Sequence, residues 1–133
     1  MNGQFRLRSI VAVLCLLVGF SVQAAGEQQG GSGAIAEMSN VMIGLQHYPS
    51  DAEKARLKQI AADANTSAQE KTIATALMNM EHNVSSGDKA KLKQIADDAS
   101  APANVRELAG ILMNMSHKPS AEDKAKLQKL AAQ

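Results

Sequence analysis

Cysteine is nearly absent from this chain: among 133 residues the only one is Cys15, inside an N-terminal apolar run. No intrachain disulfide can form, so stability has to come from packing. Tryptophan is missing, and Phe5 and Phe20 both precede residue 25, which leaves Tyr48 as the one aromatic residue of the rest. A core without aromatics must be assembled from Ala, Leu, Ile, Met and Val, each of which buries less area. There is no excess of either charge. Removing Arg6 and Arg8 with the leader takes the Lys plus Arg count from 14 to 12, against 13 Asp plus Glu, so the remainder has net charge −1. Phosphate neutralisation supplies most nucleic-acid affinity, and a near-neutral chain is a poor candidate for it.

The first residues are organised as a leader. Arg6 and Arg8 precede an apolar run from Ile10 to Phe20, and Val22-Gln-Ala24 offers small residues where signal peptidase cuts. This pattern reads as a secretory signal peptide over residues 1–24. The run is too short for a bilayer, which needs about 20 apolar helical residues. Cys15 follows Leu14 within the run, so it does not read as a lipoprotein cysteine. Cleavage after Ala24 would leave 109 residues with no transmembrane segment, enough for one small domain, periplasmic or secreted. Residues 25–33, AGEQQGGSG, have no apolar period and read as a flexible lead.

The remainder is a repeat. His47, His82 and His117 are each 35 residues apart, and the flanking register holds without a gap. Leu57, Leu92 and Leu127 align, as do Ile60, Ile95 and Leu130, and upstream Met42, Leu77 and Leu112. Three copies at a constant period indicate a repeat architecture over residues 34–133. Each copy holds two helical segments. Ser50-Asp-Ala-Glu53 and Ser67-Ala-Gln-Glu70 are capping boxes, and Ser85 and Ser120 stand three residues before Asp88 and Asp123. Pro102 suits a first helical turn. Apolar stripes follow at helical spacing: Met38, Val41, Met42, Leu45; Ile73, Ala76, Leu77, Met80; Leu108, Ile111, Leu112, Met115; and the narrower Leu57, Ile60, Ala61, Ala64. The pattern predicts an all-α fold of about six helices, near 34–47, 51–64, 68–82, 87–99, 103–117 and 121–132. They would form a small solenoid-like stack of three 35-residue αα-hairpins. The period is similar to that of tetratricopeptide-type repeats, but their fixed Trp, Gly, Tyr and Pro positions are absent. The likeness is architectural and implies no residue-level function.

Two sets of residues are candidates for function. Met78 and His82, and Met113 and His117, stand four apart, and on one helix face each pair could hold a soft ion such as Cu(I) or Ag(I). Ile43 in the equivalent place of the first copy favours packing instead, and each histidine at a helix end can serve as a cap. With helices stacked about 8–10 Å apart, the three histidines are not expected to converge on one ion. Lys54, Lys58, Lys89 and Lys93 form a repeated basic ridge, either a solvated face or a surface for an acidic protein partner or anionic lipid headgroups. No catalytic constellation is legible: no nucleophilic cysteine, no phosphate-binding glycine loop, no HExxH, and the Ser and Asp near each His read as caps. The expectation is an exported, non-enzymatic α-helical repeat protein that binds another protein, with self-association open to it. Soft-metal buffering and an envelope-stress or holdase role are the alternatives.

Overall fold

The computed structural model describes residues 32–133; the leader and most of the lead lie outside them. Six helices account for the described residues, with no strand among them: α1 (Ser32–Gly44), α2 (Asp51–Ala62), α3 (Ala68–Met78), α4 (Ser86–Asp97), α5 (Ala103–Asn114) and α6 (Ala121–Ala131). None is long and apolar enough to cross a membrane.

The caps act as the sequence implies. Ser50 and Ser67 each accept from the N–H of the third helical residue, while Glu53 and Glu70 reach back to the N-cap N–H at 2.7 and 2.9 Å. Ser85 and Ser120 cap α4 and α6, and their hydroxyls also bond Asp88 and Asp123. Pro102 precedes α5 with no side-chain cap. The hydroxyl and N–H of Ser100 bond the Asp98 carboxylate instead, and this pulls the Asp98 pKa below its usual value.

The inner helices α1, α3 and α5 touch one another in all three pairings, whereas α2, α4 and α6 lie outside and touch no other outer helix. Inner-helix burial follows the apolar stripes, and every residue of the three inner stripes is buried. On α2 the stripe is thinner: Leu57 is buried, Ile60 and Ala61 half-buried, and Ala64 exposed. Ser39, Ala74 and Ala109 occupy one repeat position and are all fully buried. Their small side chains let the inner helices approach closely.

The most extensive contacts pair α2 with α3, α4 with α5, and α6 with α1. The third pair joins the two ends of the repeat domain, so the three units close into a ring in which the last helix packs against the first. This packing fits a three-unit helical repeat. Polar clasps recur between its elements. Gln69 Nε2 donates to Asp98 at 3.4 Å, and at the equivalent positions Asn104 Nδ2 donates to Gln133 at 3.2 Å. In the first copy the place of Gln69 is taken by Ala34, and the α1–α2 junction is bridged by Arg56 and Glu37 at 3.1 Å.

Candidate functional site: the histidine apex

The inner helices end earlier than the periodicity predicts. They stop at Gly44, Met78 and Asn114, three or four residues before the histidines. The cause is the next apolar residue. Leu45, Met80 and Met115 each donate their N–H to the carbonyl three residues back, at 3.2–3.3 Å, and bury their side chains. Met115 does so with extended backbone, φ −72° and ψ 136°. Pro49, Val84 and Pro119 are buried four residues later, and the outer helices begin immediately afterwards. Each turn is thus pinned at both ends by a buried side chain, and its middle, which contains the histidine, is left exposed.

The histidines are therefore not on helices, and the i, i+4 geometry expected for Met78–His82 and Met113–His117 does not exist. Met78, Met113 and their counterpart Ile43 are half-buried and pack against the core. The three histidines are nevertheless close together. The ring centroids of His47 and His82 are 5.8 Å apart, those of His47 and His117 5.7 Å, and those of His82 and His117 5.2 Å. Helix spacing was the wrong measure. Each histidine sits beyond its helix, in a turn, and ring closure brings the three turns to one end of the inner-helix cluster. The 35-residue spacing was the available signal, because equivalent residues of a closed threefold arrangement surround one axis.

The second and third turns are stitched together. His117 N–H donates to the His82 carbonyl at 2.8 Å, and Asn83 bridges to Ser116 in antiparallel fashion. Lys118 N–H reaches back to the Ser116 carbonyl at 2.6 Å, a three-residue turn centred on His117. His117 has φ 61°, the one non-glycine residue with positive φ among the described residues. This left-handed backbone costs a residue with a Cβ about 1 kcal/mol or more, although histidine tolerates it better than most.

The apex also carries Tyr48, the one large hydrophobic residue exposed among those described, at 61%. Lys54 Nζ lies 5.7 Å from its ring centroid. An open depression of about 370 Å³ lies beside His47, bounded by Tyr48, Ser50 and Glu53. Lys58, Lys89 and Lys93 are exposed on the outer helices, and Lys93 is paired with Asp97 in its own helix at 2.6 Å. Lysines 54 and 58 are on α2 and lysines 89 and 93 on α4, two helices that do not touch. No protein-family model matches the chain, and no curated protein or solved structure matches it either.

Proposed function

We propose that this is an exported, non-enzymatic α-helical repeat protein that works as a binding module, engaging a protein partner of the envelope or cell exterior through its apex. The observation that carries this reading is Tyr48. A tyrosine with its ring in solvent, a lysine above it and a depression beside it has the composition of an interaction hot spot, where a large rigid side chain adds contact area at small entropic cost. The apex is also the surface to which all three units contribute, so a partner there reads the closed ring as a whole. The lysine ridge on α2 and α4 is a second face for an acidic partner. Export rests on the leader-like residues 1–24.

A photo-crosslinking residue in place of Tyr48, in the protein expressed with its leader, tests the reading. A discrete adduct of reproducible identity, weakened by Lys54→Glu, is the expected result. Adducts from Lys58 or Lys93 but not from Tyr48 would move the site to the outer helices. No adduct from any of these positions would end the interaction reading.

A further inference from the structure

The three histidines carry chemistry that a protein–protein contact does not need. We infer that His47, His82 and His117 together bind one transition-metal dication of the zinc, nickel and copper class, each unit of the ring contributing one imidazole. The inference stands independently of a protein partner at the apex.

Separation is the first support. Imidazole nitrogens bound at about 2.0–2.1 Å from a metal place their ring centroids about 5.2 Å apart at tetrahedral angles and about 5.5 Å apart in a trigonal plane. The observed separation of 5.2 Å equals the tetrahedral value, and those of 5.7 and 5.8 Å lie a little beyond the trigonal one. The three turns that carry the rings are each pinned at both ends by a buried side chain, so their proximity does not have to be created when an ion arrives.

What remains is aim. Among the described residues no three His, Cys, Asp or Glu side chains have their donor atoms already gathered on a metal-sized point. The rings meet at interplanar angles of 84°, 84° and 38°, edge against face rather than nitrogen toward nitrogen. All three residues are exposed. The terminal torsion of a histidine is broad and soft, and exposed side chains reorient within nanoseconds. Ring rotation on a fixed backbone is the whole of the change required.

Helices α1, α3 and α5 end at the apex and α2, α4 and α6 begin there, so their dipole ends oppose one another and give no net preference for charge. The donor set selects the class of ion. The thioethers of Met80 and Met115 are buried, and those of Met78 and Met113 pack on the core, so the exposed donors are imidazoles. Imidazole without thiolate or thioether suits zinc, nickel and copper dications rather than Cu(I) or Ag(I). Three protein ligands leave further coordination positions to water or an external ligand, the arrangement of reactive rather than purely structural sites. His82 and His117 are already tied by a backbone hydrogen bond, so His47 is the ligand that the first unit must supply.

The test is titration of the purified protein, free of any histidine tag, with Zn(II) in competition with a chromophoric chelator, and with Co(II) followed by visible absorption. The expected result is one ion per chain with a Co(II) spectrum of low coordination number. Affinity should fall in His47→Ala, His82→Ala and His117→Asn by more than the roughly 10–100-fold typical of losing an outer-shell partner, because each removes a ligand itself. Circular dichroism of each variant checks that the fold persists. Absence of binding by the parent protein, or undiminished binding by the triple variant, would overturn the inference. So would two ions per chain lost in Met78→Leu and Met113→Leu, which would return the ligands to methionine–histidine pairs.

Discussion

His117 donates its backbone N–H to the carbonyl of His82 at 2.8 Å, and the two rings stand 5.2 Å apart. One backbone hydrogen bond thus joins the turns of the second and third units and brings the two residues side by side. The bond is made from a left-handed backbone, φ 61° at His117. Asparagine adopts that conformation at least as readily as histidine. His117→Asn should therefore leave thermal stability within about 0.5 kcal/mol of the parent, as for a surface change that respects the backbone. His117→Val, β-branched and ill-suited to positive φ, should cost about 1–3 kcal/mol. Equilibrium urea unfolding of both variants checks this; equal stability would mean that the turn relaxes at no cost.

Gly110 is the converse case. It lies inside α5, half-buried, and a Cβ built on it meets nothing within 4 Å. Its equivalents Asn40 and Thr75 carry side chains. Gly110→Ala should stabilise the domain by about 0.5–1 kcal/mol, because alanine loses less conformational freedom on folding into a helix. A lower midpoint in urea would show that the helix packs more tightly there than its open flank implies.

Much of this fold is legible in the sequence. The 35-residue period, the four serine caps and the three inner stripes locate six helices and the side chains buried at their centre, because capping and periodic burial are local in sequence. The apex was not legible for a specific reason. Reading the stripe through Leu45, Met80 and Met115 as continuing helix carries each histidine onto a helix face, whereas those side chains reach the core by leaving the helix. Ring closure is equally invisible, since the contact of α6 with α1 joins residues at opposite ends of the domain. Glu70 was read as half of a capping box, which it is, but it is also 1% exposed in the place where the other copies have Ile35 and Val105. Its Oε1 has no hydrogen-bond partner.

The Asp98 carboxylate gives a pH-dependent prediction. Bonds from the hydroxyl and N–H of Ser100, with Gln69 adding one from α3, hold its pKa below the ordinary aspartate value. A depressed folded-state pKa contributes stability above the unfolded value, and that contribution is lost as pH falls through the folded value. The effect is therefore confined to acid below about pH 4. Carbon-13 titration should find the Asp98 midpoint below that of an unstructured aspartate, and Ser100→Ala should move it upward. A midpoint unmoved by Ser100→Ala would assign the shift to other groups.

Ring closure makes the sharpest mechanical prediction. In an open stack each unit contacts only its neighbours, so damage to the last helix leaves the first unit nearly untouched. Here α6 packs directly against α1, with Leu127 and Leu130 fully or almost fully buried. Leu127→Ala should cost about 2–5 kcal/mol, the range for a buried leucine truncated in a core. A small domain has only about 5–15 kcal/mol in total, so the variant should approach global instability. The distinguishing readout is hydrogen exchange. If the ring is one cooperative unit, amides of α1, some ninety residues away in sequence, should lose protection together with those of α6. Loss confined to α6 and α5, with α1 protected as in the parent, would show that the ends of the domain meet without depending on each other.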